Sequence, residues 1–354
     1  DDGWSTSITN DHLKVWEINM DWTSVTNSTI SSPLEIPLNA FDSVFAPFGS
    51  GDLVQPGTAQ KIDMIGGIIS YAVNYRMFEN HNSCVITFNV DVDGNDTSGI
   101  RWVELRNNNT DAWIVHQEGT YAPDDGKSRF MGSSAIDAQG NIGLGFNIGS
   151  AVRPVEISYT GRYEGDPLGE MTQAETIIVD GVGVQTFSNR FGDYSHLTMD
   201  PDGFTFWHTA EYFRQNNSWQ SRIASFRMSA GFENDLSIAD IVKPEDGILS
   251  NSETIEVTIR NLGTENQTNF PIELYLDGVL MATETFTGTV NSGETANYTF
   301  NQTLDLSTQG QIYTVGVKVI LPTDQYSIND ITSQDVQHLF NNDIGVVNID
   351  SPQT

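Results

Sequence analysis

The residues best suited to chemistry are four oxygen-bearing side chains in one short segment. Asp91, Asp93, Asn95 and Asp96 surround Gly94. Hard oxygen ligands of this kind bind Ca²⁺, and the glycine allows the tight turn that a calcium loop needs. The segment lacks the glutamate that closes an EF-hand loop. It therefore predicts either a calcium site, which is the one cofactor that the sequence suggests, or a solvated hairpin turn.

Other residue types that could do chemistry show no recognisable pattern. The six histidines lack metal-ligand spacing, and the single cysteine, Cys84, excludes an internal disulfide and a cysteine-based zinc site. We expect Cys84 to be a buried small hydrophobic residue, because it lies in the strand-like run 84–88. No nucleophile-elbow, Walker or dinucleotide motif occurs. The sequence thus gives no local support for serine-hydrolase or nucleotide chemistry.

The balance of charge restricts the partners. Sixteen Lys and Arg against 47 Asp and Glu leave a formal charge of −31, so nucleic acid and anionic membranes would be repelled. Hydrophobic residues make up 38% of the chain, which is enough for a folded core. No apolar run is long enough to predict a membrane span. Low lysine content and richness in Asn, Thr, Ser, Asp and Gly favour an extracellular bacterial protein.

The elements that position these residues are predicted to be β-strands throughout. Short β-branched and aromatic runs alternate with turn-forming clusters, and helical periodicity is nearly absent. An apolar residue followed by D-x-x-G recurs at Asp63, Asp137 and Asp200, which are 74 and 63 residues apart. Each repeat predicts a hairpin turn, because Asp accepts backbone N–H bonds and Gly supplies a positive φ. The strands after these turns are predicted at 68–75, 142–148 and 204–212. This spacing predicts propeller blades.

Two of these turns resemble a known motif. Residues 134–142 (SAIDAQGNI) and 197–207 (LTMDPDGFTFW) resemble the Asp-box turns of sialidase-like β-propellers, with one extra residue between Asp and Gly. Phrases such as GIRWVEL at 99–105 and FGDYS at 191–195 resemble propeller regions of secreted bacterial proteins. Three or four blades are readable, whereas closed propellers need about 4 to 8. We therefore expect the visible propeller to be incomplete.

The propeller resemblance implies a ligand site at the central mouth of the blades. The candidate ligand-binding residues are Arg129, Arg190, Asp193, Tyr194 and Glu211. Several large aromatic residues are predicted to fill blade interfaces rather than to form a carbohydrate platform. They are Trp102, Trp113, Trp207, Tyr212 and Trp219.

The same resemblance implies an enzymatic alternative. In sialidase-type glycosidases several arginines clamp an anionic sugar while a Tyr/Glu pair acts as nucleophile and base. The arginines spread over successive predicted blades are Arg76, Arg101, Arg129, Arg162 and Arg190. The early acid and the three ordered arginines of that family cannot be placed on this chain, and arginines on strands more often form ion pairs. We therefore favour a binding protein over an enzyme.

A change of composition near residue 232 predicts a second unit. Tryptophan is absent beyond it, and short alternating strands with turns at roughly ten-residue spacing predict a β-sandwich. The segments 255–263 (IEVTIRNLG) and 274–280 (LYLDGVL) resemble the CARDB type of immunoglobulin-like module, which occurs as repeats in bacterial and archaeal surface proteins. Residues 342–352 echo 234–244 at an offset of 108 residues. A further repeat is therefore expected to begin there.

The sequence predicts an all-β protein with a propeller-like region at 1–232, an immunoglobulin-like sandwich at 233–340 and the start of a second sandwich at 341–354. The predicted function is that of an extracellular or cell-surface binding or adhesion protein, in which a propeller head binds a carbohydrate or protein ligand and the sandwiches are spacers. One alternative is a secreted glycosidase or peptidase with catalytic residues partly outside this segment. Another is a structural component of a surface assembly. We expect a part of a longer chain or assembly, with no nucleic-acid partner and no membrane-spanning segment.

Overall fold

The computed structural model describes residues 3, 5, 7–47, 49, 51–108 and 111–341. Contacts within the chain divide it into two units, Asp1–Ser229 and Ala230–Thr354. The regular elements among the described residues of both units are β-strands, apart from the 3₁₀ turns Val25–Asn27 and Ser327–Asn329. The all-β prediction is confirmed. The predicted repeat at 342–352 lies outside the described residues.

The first unit begins with two small antiparallel pairs. Strand β1 (His12–Val15) pairs with β4 (Leu34–Pro37), and β2 (Ile18–Asn19) pairs with β3 (Thr29–Ile30). Leu13 lies opposite Ile36, and both pack into an apolar cluster with residues of the following sheet. This packing ties the first pair to the rest of the unit.

Three antiparallel sheets follow, each a meander of consecutive strands. The first has the order β5-β6-β7-β8, with β5 (Asn74–Met77), β6 (Asn82–Asp91), β7 (Ser98–Asn107) and β8 (Ile114–Tyr121). The second has the order β12-β11-β10-β9, with β9 (Ser128–Ile136), β10 (Ile142–Ser150), β11 (Arg153–Arg162) and β12 (Thr176–Val179). The third consists of β13 (His196–Met199), β14 (Thr205–Gln215) and β15 (Ser218–Arg227). Such meanders are the units of propellers, so the region is propeller-like. The described strands do not close into a barrel.

The second sheet is covered on both faces by its neighbours. Every residue of β9 and β10 is buried, which explains why their sequences mix apolar and small residues instead of alternating apolar with polar ones. Glycine is required at position 145, because a Cβ there would lie 2.5 Å from Nδ1 of His208 on β14. Trp102 is completely buried against Ile136 and Ile142. Close sheet-to-sheet packing therefore sets the composition of these strands.

Two of the three predicted D-x-x-G turns are formed between strands. Asp137 joins β9 to β10, and its Oδ1 accepts backbone N–H groups two and four residues further on. Asp200 joins β13 to β14 and accepts the N–H two residues further on. Gly140 and Gly203 adopt φ values of +85° and +78°, as the turns require.

The third predicted turn, at Asp63, is different. Its backbone N–H donates to the carbonyl of Asn189, and residues 68–73 form no strand. The predicted strand 68–75 is therefore wrong in all but its last two residues. The chain here is held by tertiary contacts, and Gly66 packs so closely on the loop at Ser43 that a Cβ would lie 2.2 Å from the Ser43 carbonyl oxygen. The segment is packed against loops rather than paired in a sheet.

The second unit is a two-sheet sandwich. Its strands are β16 (Leu236–Lys243), β17 (Glu256–Asn261), β18 (Gln267–Leu276), β19 (Val279–Val290), β20 (Thr295–Thr299), β21 (Ile312–Val319) and β22 (Ile331–Gln337). One sheet has the order β16-β17-β20 and the other β19-β18-β21-β22. Apolar side chains from both sheets, including Ile259, Leu274 and Val317, form one buried cluster. The predicted immunoglobulin-like sandwich is confirmed.

Candidate ligand-binding site

Four of the five predicted ligand residues are brought together by the loop that precedes β13. Arg190, Asp193 and Tyr194 lie in the loop, and Glu211 lies on β14. The backbone N–H of Gly192 donates to the Glu211 carboxylate, so the loop is fastened to the strand at this point. Arg190 donates from Nε to Oδ2 of Asp193 over 2.8 Å, and a terminal guanidinium nitrogen donates to the same oxygen.

The cluster presents both polar and aromatic groups to solvent. The side chain of Arg190 is 55% exposed, and Tyr194 is 46% exposed. The hydrogen bond from Arg190 to Asp193 raises the pKa of the guanidinium. Burial raises the pKa of Glu211, while the N–H of Gly192 lowers it and the charge of Asp193 raises it. A cation, a phenol and two carboxyl groups are thus held on one loop and its neighbouring strand.

The buried side-chain amide of Asn147 lies against the loop that precedes β13. Asn147 on β10 is completely buried, and its Nδ2 donates to the carbonyls of Glu156 and Glu211 over 3.1 and 2.8 Å. Its Oδ1 has no hydrogen-bond partner among the described residues. A Cβ at Gly192 would lie 3.4 Å from this oxygen, and Gly192 has a φ of +79°. Asn147 was not identified from the sequence, where nothing distinguishes it from the many other asparagines.

The loop is also anchored on strand β9. Ser195 donates from Oγ to the carbonyl of Met131, and the N–H of Leu197 donates to Oγ of Ser133 over 2.8 Å. Buried Gln185 donates from Nε2 to the carbonyl of Arg190 over 2.7 Å. These bonds fix the backbone on both sides of the exposed residues, so their positions are set by the fold.

The fifth candidate, Arg129, has a different environment. Its side chain is 2% exposed and lies between Asp125, at 3.0 Å, and Glu175, at 2.7 Å. Its guanidinium carbon also lies 5.4 Å from the ring centre of Tyr121. No hydrogen bond or ion pair among the described residues joins it to the other four. This arrangement favours a structural role for Arg129 over ligand binding.

The other strand arginines are likewise engaged within the fold. Arg76 donates from Nε to the carbonyl of Ile136 over 2.9 Å. Arg101 forms an ion pair with Glu118, and both side chains are largely buried. Arg162, which is almost completely buried, donates to main-chain carbonyls of the loop before β12. These contacts are those of sheet-stabilising residues. The sialidase-type enzyme, which the sequence offered only as an alternative, stays untested for this chain.

The predicted calcium segment forms a compact turn in which the carboxylates accept backbone N–H bonds. Asp91 accepts from Asp93 and Gly94 over 3.1 and 3.0 Å, and Asp93 accepts from Asn95 over 2.9 Å. Asp96 accepts from the backbone of Ala46 over 3.0 Å. Within the described part of the chain, no group of three His, Cys, Asp or Glu side chains is arranged to hold a metal ion. Calcium binding at this turn stays a prediction.

The predicted role of the aromatic residues is right in part. Trp102 fills a sheet interface, whereas Trp207 and Trp219 are 40% and 59% exposed. The interface prediction is wrong for these two, because Trp207 lies at an exposed position of β14 and Trp219 lies on β15, which is exposed or half-buried along its whole length. Trp207 donates from Nε1 to Oδ2 of Asp200 over 3.0 Å, which holds its ring against the turn before β14.

The comparisons with known proteins concern mainly the second unit. Residues 233–320 match the CARDB family model. This segment is a CARDB domain. A CARDB domain from Pyrococcus furiosus, in complex with di-metal ions, is 25% identical with a TM-score of 0.26, and the match covers 32% of this chain and 94% of that one. A domain of a candidate cell surface protein from Methanosarcina acetivorans is 24% identical with a TM-score of 0.26, over 31% of this chain and 94% of that one.

A match to another solved structure covers more of the chain at lower sequence identity. A mutant GH32 β-fructofuranosidase from Bombyx mori, in complex with sucrose, is 9% identical with a TM-score of 0.27, over 75% of this chain and 60% of that one. A TM-score of this size carries no conclusion about activity. No curated protein matches the chain. The described residues contain no helix with the length and apolarity needed to cross a membrane. The resemblance of residues 134–142 and 197–207 to Asp-box turns stays a prediction.

Proposed function

We propose that this chain is an extracellular or cell-surface binding protein. In this proposal the first unit binds a carbohydrate through Arg190, Asp193, Tyr194 and Glu211, and the CARDB domain acts as a spacer. The observation that supports it most is the exposed Arg190 and Tyr194 on a loop whose backbone is fixed by buried hydrogen bonds. Preorganised polar groups beside an exposed ring are the usual components of a small-ligand site.

The charges of the cluster favour a neutral sugar. Tyr194 offers an exposed ring for stacking, Arg190 offers N–H donors, and the carboxylates of Asp193 and Glu211 accept hydrogen bonds from hydroxyl groups. The chain carries a formal charge of −31, which disfavours polyanionic ligands. Vicinal hydroxyl groups of a neutral glycan match these donors and acceptors.

The proposed surface location rests on two facts. The second unit contains a CARDB domain, and a similar domain belongs to a candidate cell surface protein of Methanosarcina acetivorans. A strongly acidic surface also keeps a protein soluble outside the cell. Sandwich domains in series can extend a binding unit away from a surface, which is the spacer role that we propose.

A glycan array tests the proposal. We expect the 354-residue protein to bind neutral glycans and Tyr194→Ala to lose about 2 kcal/mol of binding free energy, or about 30-fold in Kd. Tyr163→Ala is a matched control, because Tyr163 is 40% exposed and lies outside the cluster. Equal binding by Tyr194→Ala and the wild type would remove the cluster from the proposal.

A second candidate function is glycoside hydrolysis, the alternative implied by the propeller resemblance. Burial and the charge of Asp193 raise the pKa of Glu211, and two carboxyl groups of which one has a raised pKa are the pair that glycosidases use. Release of p-nitrophenol from a panel of aryl glycosides tests this candidate. Turnover by the wild type that is lost in Glu211→Gln, with binding retained, would favour the enzyme over the binding protein.

A further inference from the structure

Among the described residues of the CARDB domain, three buried oxygen atoms have no hydrogen-bond partner, and they occur where β16 begins and where the loop before β22 ends. They are Oδ2 of Asp235, Oδ1 of Asn329 and Oδ1 of Asp330. Asp235 is 1% exposed and Asp330 is 6% exposed. Buried polar atoms in folded proteins nearly always have a partner. Asp235 and Asn329 are hydrogen-bonded to each other and Asp330 follows Asn329 in the chain, so these unpaired oxygens indicate a missing partner that donates or carries positive charge.

Hydrogen bonds place these residues together although they are far apart in sequence. Nδ2 of Asn329 donates to Oδ1 of Asp235 over 2.9 Å, which brings the loop to the start of β16. The N–H of Leu236 donates to Oδ2 of Asp324 over 2.8 Å, so a third carboxylate lies beside the pair. Both oxygens of Asp324 accept backbone N–H bonds. Asp324 therefore acts on the cluster through its charge.

The cluster carries more negative charge than its neighbours neutralise. Asp330 is influenced by the carboxylates of Asp324 and Asp235, and Lys318 is the positive neighbour. When all three carboxyl groups are ionised, the net charge of this group is −2. Desolvated like charges are unfavourable unless a cation compensates them.

We propose that Oδ2 of Asp235, Oδ1 of Asn329 and Oδ1 of Asp330 bind a hard divalent cation of the Ca²⁺ type. Carboxylate and amide oxygens are the ligands that Ca²⁺ prefers, and water completes its coordination. A charge of +2 also matches the local excess of −2. Bound there, the ion ties the first strand of the CARDB domain to the loop between β21 and β22. The proposal concerns the second unit alone and does not depend on carbohydrate binding by the first.

Calorimetric titration of the full chain with CaCl₂, paired with hydrogen exchange read by mass spectrometry, tests this site. We expect Ca²⁺ to slow exchange at the start of β16 and in the loop before β22. Asp330→Asn should bind Ca²⁺ about tenfold more weakly or worse, because ligand charge sets calcium affinity. Asp305→Asn is the matched control, since Asp305 is exposed in the same unit and accepts bonds only from Ser307. Asp93→Asn separates this site from the turn at 91–96.

Several outcomes would overturn the proposal. These are no heat and no slowed exchange at millimolar Ca²⁺ or Mg²⁺, unchanged binding by Asp330→Asn, or binding abolished by Asp93→Asn alone. Thermal melting distinguishes a loss of Ca²⁺ binding by Asp330→Asn from misfolding of this variant. In EDTA a folded Asp330→Asn should melt higher than the wild type, since it removes a buried charge, and it should not respond to Ca²⁺. Stabilisation of the wild type by acid alone, with no cation response, would show that protons neutralise the cluster instead.

Discussion

Removing Arg129 should destabilise the first unit strongly. The guanidinium is 2% exposed and is bonded to both Asp125 and Glu175, so Arg129→Gln leaves Glu175 without its cation and Asp125 with Lys127 alone. Breaking a buried ion pair in this way costs about 3–5 kcal/mol. Because Asp125 and Glu175 are 33% and 19% exposed, water screens part of this loss, and we expect about 2–4 kcal/mol. For a unit of this size that lowers Tm by roughly 5–12 °C.

Tryptophan fluorescence measures this effect in the first unit alone. All seven tryptophans lie before residue 230, so thermal or urea unfolding followed by tryptophan fluorescence does not report on the CARDB domain. The matched control is Arg190→Gln, which breaks an ion pair whose arginine is 55% exposed and should change stability by at most about 1 kcal/mol. A Tm for Arg129→Gln within about 2 °C of the wild type would refute the structural role of Arg129. It would restore Arg129 as a candidate ligand residue.

Three further predictions use the same unit. Burial lowers the pKa of His208 to about 4, below its value of about 6.5 in an unfolded chain, so protonation favours the unfolded state as the pH falls through this window. Relative to His208→Gln, the free energy of unfolding of the wild type should fall by about 3 kcal/mol between pH 7 and pH 4. If urea unfolding gave the same difference between the two proteins at every pH, this prediction would be contradicted. Gly181→Ala places a Cβ 1.8 Å from the carbonyl oxygen of Val155 and should lower the free energy of unfolding by about 1–3 kcal/mol or more. The control, Gly165→Ala, places a Cβ with no atom within 4 Å and should be neutral or slightly stabilising. Equal melting temperatures of the two variants would refute the contact. Burial raises the pKa of Cys84 to about 11, so its reaction with a thiol reagent at about pH 8 should be about a hundredfold slower in the folded protein than in urea, and equal rates would show an accessible thiol.

Local features of the fold could be predicted from sequence. The D-x-x-G turns at Asp137 and Asp200 depend on bonds that span only a few residues, so their pattern is visible in the chain. The Asp-Gly hairpin between β18 and β19 is of the same kind, with φ values of +50° at Asp277 and +77° at Gly278. Such turns are encoded by residue type at fixed offsets.

Features that depend on distant partners could not be predicted. The segment after Asp63 has strand-forming residues, but it lies beside loops that are distant in sequence, at Ser43 and Asn189, and is not paired in a sheet. The candidate site depends on Asn147, whose amide bonds to Glu211, 64 residues away. The proposed cation site depends on a bond between side chains 94 residues apart. No spacing in the sequence indicates which distant side chains meet, so these sites became visible only in the folded chain.

The most direct test of the central claim is a hydrogen-exchange footprint with the glycan that binds most strongly on the array. We predict slower exchange in the loop at 188–196 and in β14 around Glu211 when the glycan is bound to the wild type. The same protection should be present in Tyr163→Ala and absent in Tyr194→Ala. Protection confined to other strands of the first unit, or to the CARDB domain, would contradict the proposal that this cluster is the binding site.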